Sequence, residues 1–319
     1  MQENNPNINI GSNNSLGPKV PPSEGFREAF PSPGFREALS LIECPRDAMQ
    51  GWPHLIATEN KIKYLNALLQ CGFNTLDFGS FVSPKAIPQM ADTAKVIAGL
   101  ELGSTNTKLL AIIANERGAA DAVCYDQISY LGFPFSISET FQQRNTNSSV
   151  DESLKRVEDI QELCVKNKKE LVVYISMGFG NPYGDLYNEE IVMHRTKQIT
   201  ELGVKIISIA DTVGLATANE VSALMKNIIP AFSTIEVGVH LHSTPTDRVA
   251  KIEAALNAGC TRFDAAIKGI GGCPMAGNEL VGNMDTEVML NYFETKGYQL
   301  SIDKIALQRC SLMANEIFV

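Results

Sequence analysis

Eight short runs of β-forming residues recur along this chain at a nearly even interval. They read LSLIEC, TLDFGS, KLLAIIA, QISYLGF, ELVVYISM, KIISIAD, IEVGVHLH and RFDAAI, centred near residues 41, 76, 110, 129, 173, 207, 238 and 264. The mean interval, about 32 residues, is the length of one strand plus one crossover helix. The intervening segments carry helical periodicity: Ile62, Leu65, Leu68 and Leu69 share one face, as do Val249, Ile252, Ala255 and Leu256. Gly72, Gly203 and Gly259 follow such segments, where glycine commonly ends a helix. Eight strand–helix units in about 250 residues predict a (β/α)8 TIM barrel. A doubly wound open sheet is the competing architecture, but ECPRDAMQG after the first strand lacks the glycine-rich phosphate loop that such a sheet would favour.

Residues 1–38 have a different composition. They are rich in Asn, Pro, Gly and Ser, with GFREA repeated at 25–29 and 34–38. Such a segment buries too little apolar area to order itself, so it reads as a flexible N-terminal arm. The barrel domain is expected over 39–319, with two C-terminal helices within 285–319, near 285–296 and 302–317. The first completes the eighth unit, and the second extends or caps the barrel.

A formal net charge of −9 argues against a nucleic-acid partner. No apolar run approaches the ~18 residues that cross a bilayer. Seven scattered cysteines with no CxxC pair read as reduced thiols, and no secretory signal is evident, so a cytoplasmic protein is expected.

In such a barrel the chemistry sits at the C-terminal ends of the strands. The polar residues expected there are Arg46 and Asp47 after strand 1, Asp77 and Ser80 on strand 2, Asp211 and Thr212 after strand 6, His240 and His242 on strand 7, and Cys273 and Asn283 beyond strand 8. Two of only four histidines form the HxH of VHLH. Residues i and i+2 of a strand face the same way, roughly 6.6 Å apart, so two imidazoles can converge on one ion. They can equally be lumen residues bonded to neighbours. With Asp47 nearby, a donor set of nitrogen and oxygen suits a divalent metal such as Mg or Mn. Arg46 offers a fixed cation to a substrate oxygen, or simply a local ion pair. Cys273, among Gly271, Gly272 and Gly277, could be a nucleophile, a ligand, a proton donor or an incidental surface thiol.

The strings PRDAMQ, SFVSPKAIPQM, SETFQQRNTN, SIADTVG, VHLH and GGCPMAGNELVGNMDTE resemble the 3-hydroxy-3-methylglutaryl-CoA lyase family of the DRE-TIM metallolyase group, from Leu39 to about Phe293. The resemblance implies cleavage of an acyl-CoA to acetyl-CoA and acetoacetate, as in leucine degradation, and leaves room for a homodimer. It implies a metal held by Asp47, His240, His242 and Asn283, and catalytic roles for Cys273, Arg46, Asp77 and Asp211. Substrate binding is implied for Arg46, Gln50, Ser80, Asn145 and Glu287. The metal would take the substrate hydroxyl and a carboxylate oxygen, Arg46 would stabilise the enolate, and Cys273 would protonate the carbanion.

The chain also departs from the family pattern. Cys44 stands before PRD where Gly is usual, Asp77 replaces Glu, and Ser243 follows HxH in place of Asp. The Cys273-to-Asn283 span is one residue longer. A related lyase, a Claisen-type condensing enzyme acting on another hydroxyacyl-CoA, and a catalytically silent metal-binding barrel are the alternatives.

Overall fold

The structure, a computed structural model, describes residues 38–272 and 281–319. Cys273 and nearly all of the 1–38 arm lie outside the described residues. Eight parallel strands, β1 Ser40–Glu43, β2 Thr75–Ser80, β3 Lys108–Ile112, β4 Ile128–Ser136, β5 Glu170–Ser176, β6 Ile206–Ala210, β7 Glu236–His240 and β8 Arg262–Ala265, close in chain order into a barrel. The ring is sealed by β1 against β8, where Leu41 pairs with Phe263 and Ile42 with Asp264. This is the expected (β/α)8 TIM barrel, not an open sheet.

Alternation along each strand explains the two cores. Leu109, Ala111, Leu131, Phe133, Val173, Ile175, Ile207, Ile209, Val237, Val239 and Phe263 point outward into the layer shared with the helices. Their neighbours Leu110, Val172, Tyr174 and Ile206 point inward and pack with Ile112 and Tyr130 in the lumen. Successive strand residues face opposite sides. Asp77, His240, Arg262 and Asp264, each flanked by outward residues, therefore face the lumen. A sequence reading as near-continuous apolar runs suits a parallel sheet covered on both faces.

Gly72, Gly203 and Gly259 have φ values of 88°, 90° and 91°. At Gly72 the position is doubly restricted, because an added Cβ would run into the Ser301 carbonyl. The two C-terminal helices are Thr286–Thr295 and Lys304–Ile317, the second lying beside the helix Thr58–Leu68. There the Phe318 ring meets Trp52 edge-on at 5.2 Å between centroids. No helix among the described residues is long and apolar enough to cross a membrane.

Candidate active site

The short helix Pro45–Gln50 starts immediately after β1, with Pro45 in its first turn, where a missing N–H costs nothing. It projects Arg46 and Asp47 over the mouth of the lumen. Arg46 Nε donates to Asp77 Oδ1 and Oδ2 at 3.2 and 3.0 Å, and its Nη1 donates to Asp47 Oδ1 at 2.9 Å. The guanidinium is thus held from two sides by carboxylates while 7% exposed. Burial pushes the Asp77 carboxyl up to about 6 against the pull of Arg46, so the pair is ionised at neutral pH. One methylene less than Glu at this position still permits the two-oxygen grip.

Asp47 accepts on its other oxygen from Asn283 Nδ2 at 2.8 Å, and Gln50 Nε2 donates to Oδ1 at 3.1 Å. Burial raises its pKa, but Arg46, His240, His242 and the Asn283 hydrogen bond bring it down to about 2. The ligand atoms of Asp47, His240 and His242 all lie within 4.8 Å of one another.

The two imidazoles are oriented differently. His242 Nδ1 donates to the Thr212 carbonyl at 2.9 Å, which fixes the tautomer and leaves Nε2 as a bare lone pair. That Nε2 is buried, with no hydrogen-bond partner among the described residues. Burial, and then His240, lower the His242 pKa to about 4, so the ring is neutral. His240 Nδ1 lies 3.2 Å from Asp264 Oδ2. Burial disfavours its charge, yet the hydrogen bond and charge of Asp264, with Asp47, leave its pKa raised. An orphaned lone pair, a second imidazole and an ionised carboxylate converging in a buried pocket fit a divalent cation, which is the partner such a set lacks.

A cavity of about 550 Å³ opens above these groups. Of the residues expected from the sequence, Arg46, Asp47, Gln50, Ser80, Asn145, His240 and His242 line it. Asn283 touches it through Asp47. Asp77 sits behind Arg46. Two candidates are not brought to the cavity. Asp211 is turned away, accepting from Lys251 Nζ at 3.0 Å and from the Ala216 amide at 3.1 Å. Glu287 accepts from the Lys268 amide at 2.9 Å and borders a separate cleft between the C-terminal helices.

Sequence reasoning missed Asp264, which orients His240. Its signal was an acid in RFDA two positions from another polar residue on a strand, a sign of a polar lumen face. It also missed Arg144 and Arg156, which line the outer cavity from the helices Glu139–Thr146 and Val150–Lys166. Glu43 was likewise not foreseen. Its carboxylate accepts from the Ile267 amide at 2.9 Å and from Thr286 Oγ1 at 2.6 Å, on either side of the segment that carries Cys273.

The sequence model of the family described as HMGL-like matches residues 41–313. The chain belongs to the HMGL-like family. A relative from Danio rerio, a cytoplasmic 3-hydroxy-3-methylglutaryl-CoA lyase, is 31% identical over 83% of this chain and 78% of its own length. A 3-hydroxy-3-isohexenylglutaryl-CoA/hydroxy-methylglutaryl-CoA lyase from Pseudomonas aeruginosa is 30% identical over 84% and 89%. Among solved structures, an HMG-CoA lyase from Acinetobacter baumannii in complex with coenzyme A and 3-methylmalate superposes with a TM-score of 0.82. It is 30% identical, with 88% of this chain and 91% of that one covered.

Proposed function

We propose that this chain is a metal-dependent carbon–carbon lyase that cleaves 3-hydroxy-3-methylglutaryl-CoA to acetyl-CoA and acetoacetate. The observation that carries the reading is the convergence of Asp47, His240 and the unpartnered His242 Nε2 beside a guanidinium clamped by Asp77. Membership of the HMGL-like family gives that constellation its chemistry.

In this reading Asp47, His240, His242 and Asn283 hold Mg or Mn, which when bound supplies Lewis acidity to the substrate's hydroxyl and carboxylate oxygens. Arg46 neutralises the thioester oxygen as the bond breaks and negative charge arrives there. Because Asp77 and Asp47 already fix the guanidinium, little reorganisation accompanies that step. Gln50 steadies Asp47, while Ser80 and Asn145 bind the substrate from the cavity wall. Cys273 hands a proton to the acetyl-CoA carbanion from the loop after β8. Asp211 acts indirectly: Lys251, which it holds, also donates to the His242 carbonyl at 2.8 Å. Glu287 acts indirectly as well, through the Lys268 amide at the base of that loop.

The reading puts the enzyme in the cytoplasm, in leucine degradation, and allows a homodimer. It also assigns residues 1–38 to an arm outside the 39–319 catalytic domain.

A coupled assay for acetoacetate, run with and without added divalent metal, tests this function. Metal-dependent release supports it, and no release from the metal-loaded protein rules it out. A second substrate is favoured by the apolar wall of Val82, Ile87 and Phe141 in the cavity. That wall suits a 3-substituent longer than methyl, and comparing the two acyl-CoAs by kcat/KM separates the two.

A further inference from the structure

His240 belongs to a second group of ligand atoms besides the one that faces the cavity. Cys44 Sγ, a nitrogen of His240 and a carboxylate oxygen of Asp264 also lie within 4.8 Å of one another. All three sit at the floor of the site. Cys44 and Asp264 are 1% and 3% exposed. Asp264 meets His240 through Oδ2, while its Oδ1 is buried with no hydrogen-bond partner among the described residues. Among the described residues the thiol makes one long contact, 4.0 Å, with the Ile42 carbonyl. An unpartnered carboxylate oxygen and a barely engaged thiol thus share a pocket with an imidazole.

We propose that Cys44, His240 and Asp264 form a second, deeper cation site, selective for thiophilic divalent ions such as zinc or cadmium. The donor set decides the class. A thiolate prefers soft or borderline ions, whereas the oxygen and nitrogen donors of Asp47, His240 and His242 also serve hard ones. Metal–sulfur and metal–nitrogen bonds of about 2.3 and 2.0–2.1 Å in a tetrahedron give ligand edges of roughly 3.3–3.8 Å. The three atoms need therefore close by only about 1 Å. On binding, the metal–sulfur bond forms as the thiol proton leaves to solvent. The thiolate and Asp264 then match the charge of a divalent ion. Arg262 lies two residues before Asp264 on the same lumen face; Asp264 is the strongest charge acting on it, with Glu236 a second partner at 3.5 Å.

A neutral imidazole has one lone pair, so His240 cannot serve both groups. A thiophilic ion in the deeper group withdraws His240 from the upper one. The site therefore makes the proposed lyase susceptible to soft-metal inhibition through displacement of a ligand; this consequence rests on the function proposed above.

The test titrates Co2+ and Cd2+ into the metal-free full-length protein. A thiolate-to-metal charge-transfer band is expected with wild type and with Cys273→Ala, and is expected to vanish in Cys44→Ser. Saturating Cd2+ should weaken Mn2+ binding by at least about tenfold in wild type, the scale of losing one partner of a metal shell, and not in Cys44→Ser. A band that survives Cys44→Ser, or no band in wild type, overturns the proposal. If the serine variant does not fold, anomalous diffraction from wild-type crystals soaked in Cd2+ decides. A peak between Cys44 and Asp264 supports the site, and a peak only beside Asp47 and His242 overturns it. Mn2+ affinity measured without Cd2+ reports on the upper group alone, so the two readings fail separately.

Discussion

Glu43 gives the clearest pH prediction. Its side chain points away from the cavity, is 1% exposed, and is held by the Ile267 amide and the Thr286 hydroxyl. Burial outweighs both hydrogen bonds and raises its pKa from 4.5 to about 8. A carboxyl raised on folding binds its proton more tightly in the folded chain. The associated stability is complete below about pH 4.5, declines as pH rises, and is gone above about pH 8. At about 1.4 kcal/mol per pH unit of displacement, the two ends of that window differ by on the order of 5 kcal/mol. For a domain of this size that is roughly 10 °C in Tm. Glu43→Gln keeps an acceptor for Ile267 and gains a donor for Thr286, but cannot ionise. Melting curves for both proteins, measured at intervals from pH 5 to pH 8.5, isolate this one group. Wild type should lose stability relative to the variant across the range, and the variant should match or exceed it at the alkaline end. Parallel curves would show that Glu43 is ionised throughout and that the hydrogen bonds, not burial, set its state.

The remaining predictions concern the site and the domain edges. His242→Ala should bind Mn2+ at least about tenfold more weakly by calorimetry, since it deletes the imidazole whose free nitrogen faces the cluster. Wild-type turnover should fall with EDTA and return with Mg or Mn; full activity in metal-free buffer would falsify the ligand assignment. Cys273→Ala should lower kcat by roughly 10²–10⁴-fold with KM little changed, and Cys273→Ser should not restore it. Lys251→Met strands the buried Asp211 carboxylate and should cost roughly 3–5 kcal/mol in chemical denaturation, much of it regained in Lys251→Met/Asp211→Leu. A chain starting at Glu37 should melt and turn over like the full-length protein; a large drop in Tm would mean the arm packs on the barrel.

The periodic strands were readable because a parallel barrel buries both faces of its sheet, so each strand shows as an apolar run without help from its neighbours. TLDFGS corresponds to β2 residue for residue, and the other seven runs differ from their strands by only a few residues at the ends. The HxH spacing anticipated that the His240 and His242 rings meet, although β7 ends at His240 and His242 lies two residues beyond it, bridged to Asn283. Pairings between strands were not readable. Nothing in the sequence says that Asp211 turns to Lys251, forty residues on, instead of facing the cavity. Nor does it say that His240 takes Asp264 as its partner, because that depends on the register of β7 on β8. Substrate binding by Glu287 was implied by the resemblance alone. Its carboxylate instead accepts from the Lys268 amide and borders the cleft between the C-terminal helices.

The stretch after the Cys273 segment is stitched at both margins. The Ser243 amide donates to the Gly282 carbonyl at 2.8 Å and the Met284 amide to Leu241 at 3.1 Å. The Ala266 amide donates to Met284 at 2.9 Å and the Thr286 amide to Ala266 at 3.1 Å. Asn283 is therefore tied by its neighbours to the ends of β7 and β8. Such an arrangement separates two evolutionary pressures. Residues 273–280 can drift in length and sequence while these hydrogen bonds keep Asn283 beside Asp47. A descendant could retune its substrate by insertion or deletion there without rebuilding the floor on which the reaction runs.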